Sequence, residues 1–116
     1  MAFDWTQPEL AEGLRCYCTG QFFEAHEHWE AVWLRCQDPE KAFLQGLIQV
    51  SAAFHHFERN NLLGTESLLK AALRRLDPLP DEFGGVAVGP LRESIRVWLA
   101  VLSAGDSQHP PFPKIR

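Results

Sequence analysis

Charge of one sign never accumulates in this sequence. Its 11 lysines and arginines are scattered among 15 aspartates and glutamates, so no basic stripe could track a phosphate backbone, and nucleic acid is not an expected partner. Cysteine is scarce as well. Cys16, Cys18 and Cys36 are odd in number and never spaced C-x-x-C, which argues against a zinc knuckle or a thioredoxin-type motif and leaves reduced thiols as the expectation. No apolar run approaches membrane-spanning length, and Met1-Ala2-Phe3-Asp4-Trp5 lacks the basic and apolar regions of a secretion signal. A cytoplasmic, unprocessed protein without a membrane partner is expected. Glycine-rich phosphate loops, a G-x-S-x-G elbow and a dinucleotide fingerprint are also missing, since Gly84, Gly85 and Gly89 fit none of these patterns. Nothing therefore indicates a nucleotide-dependent enzyme. Neither a solenoid repeat nor a linker divides the chain.

What is present suffices for a core. With 116 residues, 46% of them apolar, residues 1–116 are expected to form one domain that needs neither disulfide nor metal to hold it. Thr6-Gln7-Pro8-Glu9 has the form of a capping box, with Thr6 as N-cap and Trp5 set to staple onto Leu10. Leu10, Leu14 and Tyr17 repeat at helical spacing, and Gly20 supplies a left-handed stop. A second helix is predicted from about residue 21 to 36, antiparallel to the first across so short a connection. Asp38-Pro39 offers the next N-cap and first-turn proline. The third helix, reaching about residue 59, carries one apolar face of Phe43, Leu47, Val50, Phe54 and Phe57 and another of Leu44 and Ile48, the pattern of a central helix.

Asn60-Asn61 reads as a turn because asparagine tolerates left-handed backbone. Leu62, Leu69, Leu73 and Leu76 mark a fourth helix, which Asp77-Pro78 ends. Residues 81–89 are expected as a loop pinned by Phe83 and Val86, with a short extended Val86-Ala87-Val88 as the alternative. Leu91, Ile95, Trp98 and Leu102 mark a fifth helix. The proline-rich end, 105–116, reads as an extended tail lying along the surface or partly loose. The predicted fold class is all-α: about five helices in an antiparallel array.

One stretch stands out. Phe22 to Trp33 crowds four large aromatics and five ionisable groups into three turns of helix, a density found nowhere else in the chain. At roughly 100° per residue, Phe22, Trp29 and Trp33 share a face. His26 and Glu30 project from that face, Glu27 lies at its edge, and Glu24 and His28 turn to solvent. A carboxylate in a buried face must be paired, hydrogen-bonded, neutralised or bound to something. His26 and Glu30, one turn apart, can reach one metal ion or one substrate atom. The motif is H-E-x-x-E, without the second histidine that completes H-E-x-x-H metalloprotease sites. Further ligands would come from the third helix, His56 or His55, with Gln49 in support. The competing reading is a structural network in which His26, Glu30, Gln49 and His56 hydrogen-bond across a helix interface and fix its register.

These residues, Phe22-Phe23-Glu24-Ala25-His26-Glu27 followed by Trp29-Glu30, Trp33, Gly46-Leu47-Ile48-Gln49, His56 and Asn61, resemble the family called domain of unknown function 309, small all-helical proteins of prokaryotes. The resemblance spans roughly residues 10 to 76, and F-F-E-A-H-E is its most specific part. It implies an all-α fold and carries no established activity. Its characteristic polar positions fall on His26, Glu27, Glu30, Gln49, His56 and Asn61, the last a turn residue. Where the family often has Gly-Asn after the third helix, this chain has Asn60-Asn61.

Two functions are open at this point. In the first, His26, Glu27, Glu30, Gln49 and His56 line a pocket between the second and third helices for a small molecule or a divalent metal. In the second, the cluster is structural and the helical array serves protein–protein interaction or homodimerisation. A metal-dependent hydrolase is the weakest reading, for no nucleophile or substrate signal accompanies the cluster, and the residues do not decide whether the protein is an enzyme.

Overall fold

The computed structural model describes residues 3–116. Its helices are α1 (Pro8–Cys18), α2 (Phe22–Trp33), α3 (Glu40–Glu58), α4 (Leu62–Leu76) and α5 (Val88–Ala104), with a hairpin of β1 (Glu82–Phe83) and β2 (Val86–Ala87) before α5. The fold is all-α, as the periodicity predicts, and no described helix is long and apolar enough to cross a membrane.

Local chemistry sets most of the boundaries. Asp4, rather than the start of α1, takes up Thr6, whose backbone N–H and hydroxyl both donate to the Asp4 carboxylate. The N-cap expected at Thr6 therefore moves to Gln7, whose Oε1 accepts from Leu10 N at 3.1 Å, and Pro8 opens the helix at a position where no N–H is missed. Asp38 likewise does not cap α3. Pro39 occupies the N-cap position, without a side-chain hydrogen bond, and the helix starts at Glu40. The α2 helix stops at Trp33, about one turn's length short of the predicted end at Cys36. Gly20 and Asn60 both take left-handed backbone, at φ +79° and +63°. The Asn60 value is the conformation for which the family's glycine is suited, and asparagine is among the few other residues that adopt it readily.

Consecutive helices pack on one another, and α3 lies against both α2 and α4. This explains its two apolar strips: Phe43, Leu44, Leu47, Ile48, Val50, Ala53 and Phe54 are all buried. Two glycines set close approaches. A Cβ on Gly46 would stand 2.8 Å from the Leu76 side chain, so α4 can lie tight on α3 only there. A Cβ on Gly13 would stand 2.3 Å from the Trp29 indole, which instead lies flat enough on α1 to donate to the Leu10 carbonyl at 3.2 Å. Residues 82–87 form the two-strand hairpin, with Gly84 and Gly85 at φ +58° and +75° in its turn, and Val88 and Gly89, expected in the loop, already belong to α5.

The C-terminal segment is extended but not loose. The Tyr17 hydroxyl donates to the Pro113 carbonyl at 2.6 Å, and burial pushes that phenol far above its ordinary range. Trp98 Nε1 donates to Pro111 O, and Phe112 packs between the rings of Phe22, Phe54 and Trp98. Ile115 is buried in the common core. The strap thus joins α1, α2, α3 and α5 from outside. Truncating its anchor, Ile115→Ala, should lower unfolding stability by about 2 kcal/mol or more, read as a shifted urea midpoint at constant slope; a change below about 0.5 kcal/mol, the range of an ordinary surface substitution, would show the strap to be dispensable.

Candidate functional site

The buried face of α2 is Phe22, Ala25, Trp29 and Val32. Its centre lies on the Ala25 side, about 40° to 60° around the helix from where the large aromatics alone place it. The small Ala25, fully buried between neighbouring helices, carries little weight in an aromatic pattern yet marks the real interface. The rotation corrects three expectations. Trp33 is half-buried instead of a full core anchor; Glu30, expected within the buried face, is exposed; and His28, expected in solvent, is half-buried against α1.

Four of the six nominated residues fall into two pairs. His26 Nε2 lies 3.3 Å from Glu30 Oε2, with side-chain exposures of 26% and 54%. His56 Nδ1 pairs with Asn61 Nδ2 at 3.0 Å, while Asn61 Oδ1 caps α4 by accepting from Gly64 N, also at 3.0 Å. Asn61 N donates to the His56 carbonyl, so one asparagine closes α3, opens α4 and orients the His56 ring between them. No hydrogen bond among the described residues joins His26 to His56. Glu27 is exposed, and Gln49 is half-buried with its Oε1 enclosed and without a protein donor.

Rings bridge the two pairs. Phe23 lies 5.9 Å from His26 and 5.2 Å from His55, and His55 lies 5.9 Å from His56, measured between centroids. A continuous strip results: Glu30, His26, Phe23, His55, His56, Asn61. Phe23 at its middle is 44% exposed, and Leu62 and Leu63, immediately after Asn61, are 48% and 83% exposed. The expected pocket is thus a surface. Two clefts lie elsewhere, one of about 400 Å³ between the start of the chain and the α2–α3 connection, the other of about 220 Å³ under the strap, and none of the nominated residues lines either.

The positions from His26 to Asn61 fall inside a segment, residues 10–68, that matches the family described as Domain of unknown function (DUF309). The chain belongs to this family. An uncharacterized protein of Aquifex aeolicus (strain VF5) is 32% identical over 98 residues, covering 84% of this chain and 29% of its own length. The chain thus spans less than a third of that relative. The DUF309 match takes in α1 to α3 and the first half of α4, whereas the hairpin, α5 and the strap lie beyond it.

A second cluster escapes the reading of α2 alone. Ligand atoms of Glu12, Cys16 and His28 lie within 4.8 Å of one another on the other flank of the α1–α2 hairpin. His28 Nδ1 sits 2.9 Å from Glu9 Oε2. Arg15 bonds the Glu12 carboxylate through Nε and Nη2 and reaches the Cys16 sulfur at 3.7 Å. The signal in the sequence is a pair of four-residue spacings, Glu12 to Cys16 and Glu24 to His28, on helices already expected to be antiparallel.

The two nominated pairs differ in what they hold. Asn61→Ala removes the cap of α4 together with the partner of His56 and should cost about 1–2 kcal/mol. His26→Gln breaks only a half-exposed ion pair and should cost less than about 1 kcal/mol. Paired urea titrations check the ranking; equal losses would mean that His26 is part of a buried network.

Proposed function

We propose that this DUF309 domain is a non-enzymatic interaction module and that the strip across α2, α3 and the start of α4 is its contact surface, closing on a second copy of the chain. The observation that carries this reading is Phe23, a half-exposed phenyl ring framed by His26 and His55, with exposed Leu62 and Leu63 at the start of α4. An aromatic centre with a polar rim is the usual anatomy of a contact whose energy is concentrated in a few residues. The rim is also self-complementary. Glu30, beside His26, lies at one end and His55 and His56 toward the other, so a two-fold axis near Phe23 sets each Glu30 carboxylate against the partner's imidazoles. The Aquifex relative, in which the matched sequence is a minor part of a longer chain, supports modular use.

Light scattering across a concentration series tests the proposal. The unmodified chain should dimerise, and Phe23→Glu should weaken the dimer at least tenfold while leaving the helical circular dichroism unchanged. A chain that remains monomeric throughout, or a Phe23→Glu variant that dimerises as before, would overturn it.

A second reading keeps a divalent ion on the pair His26 and Glu30, and the 3.3 Å spacing of two ligand-competent atoms one helical turn apart favours it. Its expected signature is a metal-dependent rise in melting temperature that disappears in His26→Gln, since an ion bound only to the native state stabilises it by mass action.

A further inference from the structure

The cluster on the opposite flank of α2 has the composition of a ligand set. Glu12 and Cys16 stand one turn apart on α1, and His28 faces them from α2, the three ligand atoms lying within 4.8 Å of one another. Thiolate and imidazole together select zinc and its chemical neighbours over magnesium or calcium, which prefer oxygen alone.

Two further observations point to a cation. The first is the support behind His28. With Nδ1 against the Glu9 carboxylate at 2.9 Å the ring is held, and a metal taken on Nε2 would complete the carboxylate–histidine arrangement common behind bound zinc. The second is that a positive group already occupies the cluster. The Arg15 guanidinium sits on the Glu12 carboxylate and reaches the Cys16 sulfur at 3.7 Å. Its side chain is 54% exposed, so it can swing into solvent and yield the place to an ion.

We propose that Glu12, Cys16 and His28 form a site for a zinc-like divalent metal, with water in the fourth position and Glu9 as the positioning residue for His28. Binding would release the Cys16 proton to solvent and displace Arg15, leaving the Cys16 sulfur, a His28 nitrogen, a Glu12 oxygen and a water around the ion. Ligand atoms about 3–4 Å apart suit bond lengths of about 2.0–2.3 Å. The further closure falls to rotation of Glu12 and His28, both half-exposed. This site is independent of the strip, and its ligands lie on the side of α2 away from Phe23.

Cobalt titration of the reduced full chain, purified without a metal-affinity column, tests the assignment. One equivalent of Co(II) should bring up thiolate-to-cobalt charge-transfer absorption, and Zn(II) should displace it. Cys16→Ser should abolish the band, His28→Gln should weaken binding at least tenfold, and Glu9→Gln should weaken it by about 10–100-fold. Arg15→Ala should tighten binding by removing the competing cation, and His26→Gln should leave the band unchanged. Circular dichroism identifies a variant that fails to fold; should buried Cys16 prove too sensitive, the half-exposed His28 and Glu9 carry the test. No thiolate band at saturating cobalt would overturn the site. So would a band that survives both Cys16→Ser and His28→Gln, which would point to Cys18 or Cys36.

Discussion

The Trp29 indole against Gly13 is the contact on which the remaining geometry depends. A side chain of that size, wholly buried and donating to the Leu10 carbonyl, admits one distance and one rotation between α1 and α2. Tyr17 stacks on it and Trp5 meets it edge-on, so the helix hairpin and the start of the chain are fixed by the same ring. Any Cβ at position 13 would force the helices apart. Once that rotation is set, α2 has one flank toward α3 and another toward α1, and each flank carries its own histidine.

His26 and His28 are two residues apart in sequence and serve different surroundings. His26 joins an open strip with Phe23 and Glu30, where water competes for every polar contact and ion pairs contribute little. His28 is held by Glu9 of α1 and lies close to the buried sulfur of Cys16. Helical geometry separates the two histidines by about 200° around the axis.

Much of the fold was legible in the chain itself, because regular spacing of large apolar residues reports helices and their central member directly. Phe43 to Phe54, the left-handed Asn60 and the proline stop after Asp77 are cases in which one local cause dominates. The cap of α1 was misplaced because Asp4 competes for the Thr6 hydroxyl, a contest between two local hydrogen bonds that composition cannot rank. That the tail is extended is legible in its prolines, whereas its being bound is not, because its anchors, Tyr17 and Trp98, lie far away in sequence. The candidate site was legible as a list of residues but not as a placement. Ala25 decides the rotation of α2, and a methyl group leaves almost no trace in a pattern read from aromatics.

The Gly84-Gly85 turn ties together parts of the chain that are far apart in sequence. Trp5 Nε1 donates to the Gly84 carbonyl, Arg116 donates to the Gly85 carbonyl, and the Arg116 guanidinium lies over the Trp5 ring. The first and last described stretches therefore meet at a single corner, pinned to adjacent peptide groups. Freeing either stretch would leave a carbonyl of the turn without its side-chain donor, so the packing of Trp5 and that of Arg116 depend on one another through two neighbouring peptide groups.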